Sequence, residues 1–223
     1  MKSEAPNQGD FTLAKPAVPV YPWPKPQAGV LTEIAPGILC LRMPFPIALG
    51  HINLFLLKSG EDWQLLIGHG HSPEHAMLYC AKRSVLISGD QLLPTISTNI
   101  SVTAIDPTAE PLSEWLTSLK RLLSIPDDTL VLPVHGLPFR GIGARIAQLQ
   151  AHHALTLSKT LSVCSHQSCS AYQVSQRLFA QPMTGITNVL ALGESLAHLH
   201  HLVRRGELTS TLDPFGVRKF QLL

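Results

Sequence analysis

The chain has 223 residues, of which 45% are hydrophobic and 14% charged, and its formal net charge is +2. This is enough apolar material for one larger domain, or a main domain with a small appendage. The net charge of +2 argues neither for nor against an acidic partner. No apolar run reaches the length of a membrane span, and the opening MKSEAPNQGDF lacks the apolar stretch of a secretory leader. A cytoplasmic protein with no membrane partner is therefore expected. Cys40, Cys80, Cys164 and Cys169 contain no C-x-x-C pair and read as buried thiols of a reducing compartment, not a disulfide framework.

In chain order, residues 1–28 hold six prolines, densest in VPVYPWPKP, and read as an extended surface arm. GVLTEIAPGILCLRMPF predicts short strands broken at Pro36-Gly37. HINLFLLKSGEDWQLLIG predicts a hairpin joined through Lys58–Asp62, and HAMLYCAKRSVLISGDQ a second strand pair turning at Ala81–Arg83. In DPTAEPLSEWLTSLKRLLSIP the residues Leu112, Trp115, Leu116, Leu119, Leu122 and Leu123 recur at helical spacing. TLVLPVHG predicts a buried strand ending at His135, and GARIAQLQAHHALTLSKTLSV a second long helix. From about Ser165 the pattern is helix, helix, then two short strands around Asp213-Pro-Phe-Gly216, with Gly206 capping the longer helix. Helices followed by a β-wing predict a small winged-helix-like subdomain at 161–223, behind a main domain at 29–160. From Arg140 onward eight basic residues face three acidic ones, a mild positive excess without interleaved aromatics, so nucleic acid is disfavoured as a partner.

Three residues share one kind of position. His71 follows QLLIGHG, Asp90 follows SVLISG and His135 follows TLVLPV, so each lies just past the C-terminal end of an apolar β-run. Side chains at the ends of neighbouring strands converge on one sheet edge, where α/β folds build their sites. Imidazole and carboxylate are donors that zinc and similar ions favour. The paired histidines at His152–His153 and in HLHH (His198–His201) are better placed for helix contacts or solvent. No G-x-S-x-G is present.

The segments GHGHSPEH, LISGDQLLP, EPLSEWLTSLKRLL and LPVHGLPFRG run in this order from about Gln64 to Leu149. They resemble the second half of metallo-β-lactamase-fold hydrolases, in particular the glyoxalase-II-like and β-lactamase-like-2 branch. APGILCLRMPFPIALGHINLFLL resembles the N-terminal strands of that branch, and the tail is similar to its C-terminal domain. The resemblance implies an α/β fold, the αββα sandwich, and cleavage of an ester, thioester or related bond of a small molecule by metal-bound hydroxide. By the same resemblance His71 is a ligand of the first metal, Asp90 the carboxylate bridging two metals, and His135 a ligand of the second. His75 is implied to support a ligand or to pack, and His69 matches no ligand position; both stand as additional candidates. The family holds two ions, zinc or else iron or manganese.

One departure qualifies this. The family's main motif, H-x-H-x-D-H after a DTG turn, is absent, and Trp63 runs directly into QLLIGHGHSPEH. A βαβ portion is missing between Asp62 and Ile67, so the sandwich is expected to be internally truncated. HGHSPEH is one residue too long to substitute. Each metal is left with one histidine and a share of Asp90, whereas catalytic zinc normally has three protein ligands and an open position. Fewer ions than in the family, or none, are expected. The alternative to a hydrolase is an inactive remnant serving as a binding or oligomerisation module, with a homo-oligomer covering apolar surface exposed by the loss.

Overall fold

The structure is a computed structural model that describes residues 24–44, 50–57, 62–179 and 185–223. Most of the proline-rich arm and the Lys58–Glu61 link lie outside the described residues. Strands β1 (Leu31–Ala35), β2 (Ile38–Pro44) and β3 (His51–Leu57) form one antiparallel sheet in that order. Strands β4 (Gln64–Gly68), β5 (His75–Cys80), β6 (Val85–Gly89) and β7 (Leu130–Pro133) form a second. The pairings β4–β5 and β5–β6 are antiparallel, and β6–β7 is parallel.

The expected hairpin between HINLFLL and QLLIG does not form. β3 pairs with β2 through seven positions, from Ile38↔Leu57 to Pro44↔His51. β4 pairs with β5 from Gln64↔Tyr79 to Gly68↔His75. Each run thus finds a full-length partner elsewhere, and the two runs belong to different sheets. A longer ladder with a buried face outweighs local closure.

The two sheets face each other through Ile34, Ala35, Ile38 and Cys40 on one side and Val85, Leu130 and Leu132 on the other, with Phe55, Leu57, Trp63 and Ile87 at the margin. The opposite face of the β4–β7 sheet carries Met77, Leu86 and Val131 and packs against α1 (Pro111–Leu122) and α2 (Ile142–His166). α1 opens on a proline that needs no hydrogen-bond acceptor and buries Leu112, Trp115, Leu119 and Leu122 as one stripe. Burying side chains of this size contributes about 1.5–3 kcal/mol each. Among the described residues helices cover only this sheet, whereas a full αββα sandwich has a helical layer over each.

The outer face of the β1–β2–β3 sheet is correspondingly apolar and open. Leu31↔Leu41 and Leu41↔Leu54 stand opposite one another, beside Leu39↔Leu56. Leu54 and Leu56 remain more than 40% exposed. Leu65 and Ile67 of β4 lie on the side of their sheet occupied by Leu78 and Ile87, facing the other sheet, yet that sheet does not reach them and Leu65 is 62% exposed.

α2 runs 25 residues and buries Ile146, Leu149, His153, Leu157, Thr160 and Cys164 in one stripe that continues into the C-terminal part. Residue 160 lies inside this helix, and one core runs from Met77 and Trp115 to Leu202 and Phe220. Beyond it follow β8 (Cys169–Ser170), α3 (Ala171–Leu178), α4 (Ile186–Arg204), β9 (Leu208–Leu212) and β10 (Arg218–Leu222), with sheet order β8-β10-β9. The two-residue β8 was not expected; it is too short to show a periodicity, and Ser170 doubles as the N-cap of α3 in a capping box with Gln173. α4 stops where the amides of Gly206 and Glu207 fold back onto the carbonyls of Val203 and Leu202, as the glycine predicts.

Candidate metal centre

Because β4 and β6 both run antiparallel to β5, and β7 runs parallel to β6, the C-terminal ends of β4, β6 and β7 share one sheet edge. His71, Asp90 and His135 sit just beyond those ends, and the fold brings all three together. His71 Nε2 lies 3.6 Å from Asp90 Oδ2, and His135 Nε2 lies 3.6 Å from Asp90 Oδ1. A separation of 3.6 Å is too long for a hydrogen bond. It is close to the spacing of two donors that share one ion at about 2.0–2.2 Å.

Both imidazoles are held in one orientation. His71 Nδ1 donates to the Asn99 carbonyl at 2.9 Å, and His135 Nδ1 donates to the His51 carbonyl at 2.7 Å. A carbonyl only accepts, so each Nδ1 carries the proton and each Nε2 lone pair is directed to the carboxylate. His135 is nearly buried, whereas about a quarter of the His71 and Asp90 side chains is exposed, so the site opens to solvent on the His71 side.

The additional candidates are engaged otherwise. His75 Nε2 accepts the Asp90 amide at 3.1 Å, which occupies its lone pair and fixes the turn carrying the carboxylate. Burial, and secondarily the neighbouring His71, holds His75 below the usual imidazole range. Gly89 makes room for it: at φ +55° a Cβ there would lie 2.4 Å from His75 Nε2. His69 Nδ1 faces the Pro73 carbonyl, while its backbone receives Gln91 and binds Ser118.

Several supports escaped sequence reasoning. Asn53 Nδ2 donates to the carbonyls of Pro133 at 3.0 Å and Gly136 at 3.1 Å, tying β3 to the loop that carries His135. His51 supplies its carbonyl to His135 and its Nε2 to the Gly136 amide. Arg145, almost fully buried, donates to the carbonyls of Leu93 and Ile96, and Thr98 bonds the Asp90 carbonyl, so the loop after Asp90 is pinned from both ends. Burial lowers the Arg145 guanidinium to about 10. These residues are distant in sequence and ordinary in type, and only the register of β3 against the strand ends reveals them.

The donors fit a borderline metal in chemistry, tautomer and spacing, but not in number. Among the described residues no group of three or more His, Cys, Asp and Glu side chains is arranged around one ion position. The two histidines address opposite oxygens of one carboxylate, which leaves each position a single imidazole and a single oxygen.

The sequence profile of the family described as "Metallo-beta-lactamase superfamily" matches residues 41–135, and that of "Metallo-beta-lactamase-like, C-terminal domain" matches residues 157–223. The chain belongs to the metallo-β-lactamase superfamily. A curated relative, "Probable metallo-hydrolase YqjP" of Bacillus subtilis (strain 168), is 29% identical over 154 residues, 67% of this chain and 47% of the relative. The chain thus spans about half the length of that relative. A solved structure, a beta-lactamase domain protein from Burkholderia ambifaria, superposes with a TM-score of 0.85 at 28% identity, covering 92% of this chain and 97% of that one. A metallo-beta-lactamase family protein from Thermus thermophilus gives 0.65 at 27% identity, over 75% of this chain and 52% of its own.

Proposed function

We propose that this chain is a metal-binding member of the metallo-hydrolase family, with an ester, thioester or related bond of a small molecule as its substrate class. His71 and His135 would each hold an ion together with one oxygen of Asp90. The observation that carries this reading is the pair of Nε2 lone pairs, each fixed by an Nδ1–H bond to a backbone carbonyl and aimed at opposite oxygens of one carboxylate. A bound zinc, iron or manganese ion supplies Lewis-acid activation of water and of the scissile group. The chain's own residues orient the two imidazoles, fix the Asp90 turn through His75 and Thr98, and leave the His71 side open for a substrate.

Two protein donors per ion hold metal weakly, so turnover by the isolated chain is slow and depends on added metal. The test is hydrolysis of model esters and thioesters with and without excess zinc or manganese, beside Asp90→Ala. Metal-dependent turnover lost in the variant supports the hydrolase; turnover indifferent to both metal and variant contradicts it.

The donor shortfall favours a second reading, a binding or oligomerisation module without turnover. Its support is the uncovered apolar face bearing Leu54 and Leu56, for which a second copy of the chain is the proposed cover. We also read the C-terminal unit as winged-helix-like, on the order helix, strand, helix, helix, hairpin.

A further inference from the structure

Cys164 lies in the last turn of α2 and Cys169 opens β8, with only Ser165–Ser168 between them. Their sulfurs are 2.9 Å apart and both side chains are buried. Less than 1 Å of approach separates this contact from the S–S bond length of about 2.05 Å. Burial, with Cys169 alongside, holds the Cys164 thiol well above its ordinary range. The other two cysteines belong to different sheets, Cys40 in β2 and Cys80 in β5.

Cys169 also borders a cavity of about 570 Å³ whose walls include His166, Tyr172, Gln173 and Arg177. Cys169 is one of the cavity's lining residues although only 1% exposed, and Arg177 on the wall provides a cation suited to a carboxylate-bearing thiol compound. On its far side Cys169 pairs with Phe220 of β10, so a link at this point ties α2 to the sheet that closes the C-terminal unit.

We propose that Cys164 and Cys169 form a reversible disulfide, exchanged with a low-molecular-weight disulfide of the glutathione class through this cavity. The Cys169 thiolate attacks one sulfur of oxidised glutathione and expels a glutathione thiolate. The Cys164 thiolate then attacks the Cys169 sulfur of the mixed disulfide and expels the second. Two electrons and two protons pass from the protein to glutathione, and a dithiol reverses the exchange.

The test treats the 223-residue chain in its native state with oxidised glutathione, then quenches, denatures and counts thiols, with peptide mapping under non-reducing conditions. Free thiols fall from four to two, the mass drops by about 2 Da, and the linked peptides pair Cys164 with Cys169. Dithiothreitol restores all four thiols. Cys164→Ser traps a glutathione adduct on Cys169, Cys169→Ser forms neither adduct nor bridge, and Cys40→Ser with Cys80→Ser leaves the bridge unaffected. Four thiols still free after treatment of the wild-type chain, or a bridge that includes Cys40 or Cys80, would overturn the proposal.

Discussion

His153 and His198 meet in the core between α2 and α4, Nδ1 to Nε2 at 3.1 Å, with stacked rings whose centroids are 5.2 Å apart. The direction of each hydrogen bond follows from the ends of the chain. His198 Nδ1 donates to the Glu194 carbonyl, so its Nε2 is bare and accepts from His153; His153 Nε2 in turn accepts from the Ser97 hydroxyl at 3.0 Å. One neutral network thereby joins the loop after Asp90 to both long helices. Trp115 packs edge-on against it at 5.1 Å.

That network makes the fold acid-labile. Burial pushes His153 down to about 2 and His198 down to about 4, so both are neutral in the folded protein where the unfolded chain would take up protons. Their stabilisation is present above pH 6.5 and is lost as pH falls from there through about 4. Glu194 opposes this: its carboxyl is enclosed, although the residue is only partly buried, and is raised to about 7, which favours the folded state as pH falls. Two protons against one leave a net loss of about 1.4 kcal/mol per pH unit between pH 6.5 and 4.5. Urea midpoints at pH 7.5 and 5.5 should fall accordingly, and His198→Gln should flatten the slope. A stability that is level or rises towards pH 5.5 would refute the neutral pair.

Gly70 separates His69 from His71 at φ +98°, and a Cβ there would lie 2.4 Å from both the Pro111 carbonyl oxygen and Trp115 Cβ. Backbone strain and collision with a buried helix start add, so Gly70→Ala should cost about 2 kcal/mol or more. It should also displace His71 and weaken metal binding. A variant with wild-type urea midpoint and zinc affinity would show that the GHGH spacing imposes no constraint.

Asn53→Ala removes both side-chain bonds to the His135 loop and leaves two carbonyls without that partner. A loss of about 1–3 kcal/mol in stability is expected, together with about tenfold weaker zinc binding as His135 loses its fixed orientation. Zinc titration of the folded variant separates the two effects; an unchanged affinity would assign Asn53 to the scaffold alone.

The exposed leucines of β3 predict self-association. Light scattering behind size exclusion should give a dimer or larger species at tens of micromolar, and Leu54→Lys with Leu56→Lys should return it to a monomer without lowering the melting temperature. A wild-type monomer at that concentration would contradict the proposed cover.

The strand ends were legible because His71, Asp90 and His135 follow apolar runs, and a parallel or twice-reversed ladder carries such ends to one edge. The helices were legible from single stripes of apolar residues, Trp115 among them. The hairpin misreading came from adjacency: Lys58-Ser-Gly-Glu-Asp62 has turn composition, while the choice between a neighbour in sequence and β2 or β5 as partner is tertiary. Asn53, His51 and Arg145 carry no periodic signal, and β8 is shorter than any period. The Cys164–Cys169 contact depends on where α2 stops, which the sequence marks only weakly.

The most direct test of the account is metal content per chain after exhaustive dialysis, by inductively coupled plasma mass spectrometry, with zinc titration of the dialysed protein beside His71→Ala and Asp90→Ala. The geometry predicts well under one ion retained, and weak binding on titration that disappears in Asp90→Ala and is reduced in His71→Ala. Two ions retained through dialysis, or titration behaviour identical in wild type and Asp90→Ala, would contradict a centre built from one imidazole and one carboxylate oxygen per ion.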